Sequence, residues 1–119
     1  MAENTLIVEK IVEGIQELKG KHIVVVDMTQ LPERACDYFV ICEGNSSTHV
    51  ASIADSIKTF VQQEIGVKPF AVDGRENSEW IVFDYGQVLA HVFQPEARAF
   101  YDIEHLWADA RINEIPDLD

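Results

Sequence analysis

The segment Glu79–Phe93, EWIVFDYGQVLAHVF, constrains the fold more than any other part of this chain. It holds two runs of β-branched and aromatic residues, separated by Asp84-Tyr85-Gly86-Gln87, and this pattern is typical of two antiparallel strands joined by a tight turn. Two side chains, Trp80 and His91, interrupt the apolar pattern where a core-building hairpin does not need them. The segment therefore predicts a β-hairpin and suggests that one of its faces is a recognition surface.

The turn decides which side chains share a face of this hairpin. With Tyr85-Gly86 as a two-residue turn, Trp80 lies across from His91, and Asp84 shares their face. The other face is the better core set, with Ile81, Phe83, Val88, Ala90 and Val92. A large aromatic beside His and Asp suits a partner anchor, because Trp and Tyr are enriched among binding hot spots. The alternative remains open that Trp80 caps the edge of the core and His91 donates to a backbone carbonyl.

Apolar residues at helical spacing predict two helices before the hairpin. The first covers about Thr5–Lys19 and ends near Gly20. The second begins after a cap at Ser46 or Ser47, and Gly66 ends it. After the hairpin, two short helices are predicted, one after Pro95 and one after Asp102.

Three further apolar runs predict strands, at Ile23–Asp27, Tyr38–Cys42 and Lys68–Asp73. With the hairpin they give an α/β fold in which helices flank a mixed five-stranded sheet. We expect residues 1–119 to form one domain, with a flexible acidic tail over about residues 111–119.

The charge of the chain limits its partners. Nine basic residues against twenty-one acidic ones give a formal net charge of −12. Binding to a phosphate backbone or an anionic membrane needs the opposite balance, so direct nucleic-acid binding and membrane binding are disfavoured. A basic protein partner is favoured, and acidity that serves solubility alone is the alternative. The N-terminal sequence lacks the layout of a secretory signal, so a cytoplasmic protein is expected.

The sequence offers little for catalysis. The GNSS turn before the second helix resembles the Gly-Ser loop of the nucleotidyltransferase fold, but only Asp73 and Asp84 follow it, and they do not form the paired carboxylates that hold Mg²⁺. The histidines lack zinc spacing, and Cys36 and Cys42 are predicted to be free buried thiols. We therefore expect no enzymatic activity, no metal and no cofactor. A degenerate nucleotidyltransferase-like enzyme or nucleotide-binding domain is the alternative.

Four blocks of the chain resemble the ribosomal silencing factor family, also called Iojap-like proteins. They are DYFVIC, GNSSTHVASIAD, the WIVFDYGQVLAHVF hairpin and RAFYDIEHLW, which lie within about Leu18–Trp107 in the family's order and spacing. The resemblance implies a nucleotidyltransferase-like fold without its catalytic carboxylates. It also implies binding to the large ribosomal subunit at its fourteenth protein, which blocks joining with the small subunit and lowers translation when nutrients are scarce.

The resemblance also implies a binding surface around the hairpin. The matching positions in this chain are Trp80, Asp84, Tyr85 and His91, and the expected rim contacts are Asp73, Arg75, Glu76, Asn77 and Glu79. An acidic factor is attracted to an exposed basic ribosomal protein and repelled by the surrounding RNA, which favours one docking site. A homodimer is expected in the free state, because the hairpin face and the C-terminal aromatics exceed what a chain of 119 residues can cover.

Overall fold

A computed structural model of the protein describes residues 3–118 and contains three α-helices and six strands within that range. In chain order they are α1 (Asn4–Glu17), β1 (Lys21–Asp27), β2 (Tyr38–Glu43), α2 (Ser47–Ile65), β3 (Ala71–Asp73), β4 (Trp80–Asp84), β5 (Val88–Phe93), α3 (Pro95–Tyr101) and β6 (Arg111–Ile115). A short 3₁₀ helix, Ile103–His105, follows α3. All described strands belong to one sheet.

The sheet has the order β3-β4-β5-β2-β1-β6. Neighbouring strands are antiparallel except for the central pair β5 and β2, which is parallel. The α/β class and the mixed sheet are confirmed, whereas the prediction of five strands is wrong because the sheet has six. The predicted likeness to nucleotidyltransferases stays a prediction.

The sixth strand comes from the segment that the sequence suggested was a flexible tail. Arg111–Ile115 pairs antiparallel with β1, from Ile23 opposite Ile115 to Asp27 opposite Arg111. Beyond the strand, the Asp117 carboxylate accepts a hydrogen bond from the backbone N–H of His22 at 2.9 Å. The free edge of β1 provides the hydrogen-bonding partner for this segment. The prediction of a flexible tail is therefore wrong over residues 111–115. The last residue of the predicted tail, Asp119, lies outside the described residues.

The two long helices follow their local signals closely. The Ser46 hydroxyl caps α2 by accepting a hydrogen bond from the backbone N–H of His49 at 3.1 Å. Gly66 ends the same helix with φ of +67°, in the left-handed region that glycine adopts at no steric cost. Among the described residues, no helix combines the length and the apolar sequence needed to cross a membrane.

The sheet carries a packed core on each face. Helices α1 and α2 cover one face, where Ile11, Ile53 and Ile57 meet the predicted core side of the hairpin, including Ile81 and Phe83, all of them fully buried. The loop after β1 and the segment after β5 cover the other face. Its core contains Val24, Val26, Met28, Cys36, Phe39, Ile41, Phe93 and Ile103. Because β1 is covered on both faces, its continuous β-branched run is explained.

The hairpin forms as predicted, but its register differs by two residues. Trp80 lies opposite Phe93, and Val82 lies opposite His91. The turn residues are Gly86-Gln87, since Tyr85 N–H bonds to Val88 O at 2.9 Å and Gly86 has φ of +90°, as the first position of a type II′ turn requires. A shift of two residues keeps every side chain on its predicted face, so Trp80 and His91 still share one.

Candidate protein-docking surface

An aromatic cluster joins the open end of the hairpin to helix α3. Trp80, at the start of β4, is half-buried and stacks on Phe93 of β5 with ring centroids 4.9 Å apart. Its outer side meets the ring of Tyr101, at the end of α3, with centroids 4.7 Å apart. The cluster therefore extends from the core to the surface of the molecule.

The exposed end of this cluster consists of Phe100 and Tyr101. Phe100 is 81% exposed and Tyr101 is 51% exposed. Their rings form an edge-to-face pair with centroids 5.0 Å apart. Large apolar side chains at this exposure are costly in water unless a partner covers them, so the pair is the strongest candidate for a docking site.

Acidic and polar side chains surround the aromatic pair. A shallow hollow of about 330 Å³ is lined by Glu79, Gln94, Glu96, Ala97, Phe100 and Tyr101. Glu79 and Glu96 are both exposed. We call Glu79, Trp80, Glu96, Phe100 and Tyr101 the docking surface. An aromatic centre with an acidic rim is suited to a partner that presents basic and apolar groups together.

The loop before β4 continues the acidic rim. Asp73, Glu76 and Asn77 are all exposed, and the Asn77 side chain accepts from the Glu79 backbone N–H at 3.3 Å. Of the expected rim residues, Arg75 instead forms a salt bridge with Asp55 of α2 at 2.6 Å. The structure thus brings the predicted residues Asp73, Glu76, Asn77, Glu79 and Trp80 to one end of the hairpin.

Asp84 lies at the opposite end of β4, about 13 Å along the strand from Trp80. Its carboxylate accepts a hydrogen bond from the Gly86 backbone N–H at 2.7 Å and so stabilises the turn. Phe70, which is 81% exposed, lies beside this turn, and its backbone N–H bonds to Asp84 O at 2.7 Å. The hairpin therefore has two exposed aromatic ends, and the predicted contacts divide between them.

His91 and Tyr85, two of the predicted contacts, are buried at 4% exposure each. His91 accepts a hydrogen bond at Nδ1 from the Trp80 indole N–H at 3.1 Å, and Phe39 packs edge-on against its ring. Tyr85 lies on the opposite face of the hairpin, beside Phe83. Neither side chain offers surface to a partner, so for these two residues the expectation of direct contact is wrong. The alternative that His91 donates to a backbone carbonyl is not found either, because its Nε2 has no hydrogen-bond partner among the described residues.

Burial also fixes the charge of these two groups. It lowers the pKa of His91 to about 3 and raises the pKa of Tyr85 to about 12, so both are neutral at physiological pH. Because Nδ1 of His91 accepts from Trp80, its ring hydrogen is on Nε2. His91 supports the indole ring of Trp80 from inside the protein.

The Gly-Ser loop is occupied by its own side chains. The Ser46 hydroxyl accepts from the His49 N–H, and the His49 ring accepts at Nδ1 from the Asn45 N–H at 3.0 Å. Within residues 3–118, no group of three His, Cys, Asp or Glu side chains is placed to hold a metal ion. The cysteines are free and buried as predicted, and burial raises the pKa of Cys36 to about 11 and also that of Cys42. These thiols are therefore protonated and poor nucleophiles at neutral pH.

Phe100 and Tyr101 lie in the block RAFYDIEHLW, but they are not among the contact residues that the sequence predicts. In helix α3 Arg98 is buried while Phe100 and Tyr101 are exposed, which is the reverse of what the polarity of these residues predicts. Pro95 at the first position of that helix was recognised as a start signal. This signal locates the helix but not the side that faces solvent, so the sequence does not identify Phe100 as an exposed aromatic.

The chain is similar to known proteins of one family. Residues 2–119 match the family described as "Ribosomal silencing factor during starvation". A ribosomal silencing factor of Halalkalibacterium halodurans is 35% identical over 112 residues, covering 94% of each chain. Another, of Haemophilus influenzae, is 36% identical over 102 residues, covering 86% of this chain and 98% of the relative.

A solved structure gives the same result for the fold. The crystal structure of a Chromobacterium violaceum protein superposes with a TM-score of 0.83 at 32% identity, over 90% of this chain and 88% of that one. The match to the family covers nearly the whole chain. The alignments to relatives above 30% identity also span most of the length of each relative. The chain belongs to the ribosomal silencing factor family.

Proposed function

We propose that this protein binds the large ribosomal subunit at its fourteenth protein and blocks joining with the small subunit. Translation then falls when nutrients are scarce. The observation that carries the proposal is the exposed pair Phe100 and Tyr101, with Glu79 and Glu96 beside it, on a chain of net charge −12. Membership of the ribosomal silencing factor family supports the choice of partner.

The chemistry of the docking surface fits an exposed ribosomal protein better than RNA. Ribosomal RNA repels an acidic chain, because RNA binding depends on Lys and Arg displacing counterions. A basic ribosomal protein attracts the acidic rim, while Phe100 and Tyr101 bury apolar area against it. Attraction to the protein and repulsion from the RNA around it together restrict binding to one position.

Blocking subunit joining requires volume rather than catalysis. The folded chain measures 37 × 33 × 29 Å along its principal axes. Contacts between two subunits require their atoms to approach within about 3–4 Å. A body of this size on the joining face therefore keeps the neighbouring contacts apart, and the proposal places the protein in the cytoplasm with the ribosomes.

Among the described residues, no observation favours the nucleotide-binding alternative. In the Gly-Ser loop the Asn45 N–H donates to the His49 ring, and the Ser46 hydroxyl accepts from the His49 N–H. We extend the proposal to the free state, in which two copies cover each other's exposed aromatics as a homodimer. Analytical ultracentrifugation tests this extension: a dimer is expected for the free chain, and a monomer at all micromolar concentrations would contradict it.

Co-sedimentation with isolated large subunits tests the main proposal. The chain should pellet with large subunits at about one copy each and should not pellet with small subunits, which serve as the control. A photo-crosslinking amino acid at position 96, on the exposed rim, should then attach to the fourteenth protein. Absence of co-sedimentation at micromolar concentration, or crosslinking to RNA alone, would contradict the proposal.

A further inference from the structure

Helix α3 carries the exposed aromatics but has an unusual attachment to the body of the protein. It is seven residues long, and its buried residue is Arg98. Ala97 contributes a half-buried contact with the core beneath. A helix of two turns is not stable alone in water, so its position depends on these contacts. The buried side chain of this helix is therefore a charged one rather than a row of apolar ones.

Arg98 makes four hydrogen bonds to three other parts of the chain. Its Nε and Nη2 donate to the two carboxylate oxygens of Glu104, at 2.8 and 3.1 Å. Its Nη1 donates to His22 O at 2.6 Å and to the Glu43 carboxylate at 3.1 Å. The guanidinium therefore links α3 to β1, to β2 and to the 3₁₀ helix that follows.

All three charged groups of this cluster are removed from solvent. The side chains of Arg98, Glu43 and Glu104 are 9%, 17% and 14% exposed. The bidentate geometry with Glu104 fixes the direction of the guanidinium plane, as a lysine would not. The backbone also contributes, because the Asp102 N–H bonds to Arg98 O at 2.9 Å and ends the helix.

We infer that Arg98 is the positioning residue of the docking surface: its links to Glu43, Glu104 and His22 hold α3 where Tyr101 packs against Trp80 and Phe100 projects outward. This inference rests on the proposed function. Arg98 lies two and three residues before the two aromatics, so a rotation or release of α3 moves both of them. It does not itself contact the partner, since it is 8% exposed.

The test uses the full chain with Trp107→Phe, which leaves Trp80 as the single tryptophan. In this background, Arg98→Met removes the ion pairs and keeps the apolar length of the side chain. Arg34→Met is the matched control, because it also removes one positive charge and one salt bridge, to Asp37 at 2.7 Å on the loop between β1 and β2. Acrylamide quenching of Trp80 fluorescence and co-sedimentation with large subunits are measured for each, together with a circular-dichroism melt.

Arg98→Met should keep a cooperative melt, raise the quenching constant of Trp80 at least twofold and weaken large-subunit binding at least tenfold. Arg98→Lys should recover part of both losses, and Arg34→Met should match the parent in both. If Arg98→Met does not fold, a triple variant replaces it, Glu43→Gln/Arg98→Met/Glu104→Gln. This variant leaves no unpaired buried charge, and the same changes in quenching and binding are expected of it.

A folded variant with unchanged quenching or unchanged binding would overturn the inference. Weaker binding with unchanged quenching would mean that charge alone matters, and it would overturn the inference as well. If the parent chain itself does not bind large subunits, the proposed function fails. The quenching comparison then still decides whether Arg98 positions the aromatics.

Discussion

Replacing His91 with glutamine should make the stability of the protein less sensitive to acid. His91 is 4% exposed, and burial lowers its pKa from 6.5 to about 3. In the folded state the ring therefore stays neutral over a range of pH in which an unfolded chain takes up a proton there. Glutamine is the matched substitution, because its side-chain oxygen can still accept from the Trp80 indole N–H and it does not titrate.

Protons at this position favour the unfolded state. Between pH 6.5 and about 3, the unfolded chain binds up to one more proton than the folded chain, so the free energy of unfolding falls as the pH falls. One pKa unit corresponds to about 1.4 kcal/mol, so a change from pH 6.5 to about pH 4.5 removes roughly 2–3 kcal/mol. Above pH 6.5 the contribution is constant, because the ring is neutral in both states.

Urea unfolding of both proteins, followed by circular dichroism from about pH 7.5 down to about pH 4.5, measures this effect. The many carboxylates titrate in both proteins, so the difference between them isolates His91. The wild type should be the more stable protein at neutral pH, and its advantage should shrink by roughly 2–3 kcal/mol across the range. A difference that stays constant with pH would refute the claim that His91 is buried in its neutral form.

Three further comparisons test the packing around Trp80 and the charge of the acidic rim. Trp80→Ala should destabilise the fold by roughly 3 kcal/mol in urea unfolding, because the half-buried indole and its bond to His91 are lost. A loss of stability under about 1 kcal/mol would contradict this packing. Gly74→Ala should lower the free energy of unfolding by more than about 2 kcal/mol, because the added Cβ would lie 1.9 Å from Trp80 O. The Cβ added by Gly66→Ala meets nothing within 4 Å, so this variant should lose about 1 kcal/mol. Equal shifts in Tm for the two variants would refute the difference. The double variant Glu76→Gln/Glu79→Gln should associate several-fold more slowly with large subunits at low salt and show a weaker salt dependence. Stopped flow at fixed Mg²⁺ measures both quantities. Equal on-rates for the variant and the wild type would mean that the acidity serves solubility alone.

Local signals in the sequence predict most of the fold. The helix cap at Ser46, the stop at Gly66 and the β-branched run of β1 each depend on a few neighbouring residues, and each is confirmed. The sixth strand depends on a partner almost ninety residues earlier in the chain. Its exposed sequence, with acidic residues after it, resembles a tail, and only the free edge of β1 makes it a strand. Pairing over such a distance leaves no local pattern.

The hairpin register shows a finer limit. Asp84-Tyr85-Gly86-Gln87 accommodates a two-residue turn at either of two positions, and the choice depends on where the positive φ of Gly86 is needed. The two registers differ by two residues, so the sequence still predicts the correct faces.

The docking surface is only partly predictable. Trp80 is recognised from its aromatic character, but its partner Tyr101 lies on a helix whose position depends on Arg98 and distant carboxylates. The same helix and the segment after it cover the face that holds His91, which is why a polar residue expected at the surface is buried. Sequence identifies polar residues in an apolar strand; tertiary packing decides which of them meet solvent.

The most direct test of the proposed docking surface compares the two exposed phenylalanines at opposite ends of the hairpin. Phe100 and Phe70 are equally exposed, at 81%, so Phe100→Ser and Phe70→Ser remove the same apolar area from different places. Each variant is titrated against isolated large subunits, and its inhibition of subunit joining is followed by light scattering. We predict that Phe100→Ser weakens binding at least tenfold and restores joining, whereas Phe70→Ser behaves like the wild type. Normal inhibition by Phe100→Ser, with loss of inhibition by Phe70→Ser, would place the contact at the turn of the hairpin and contradict the account.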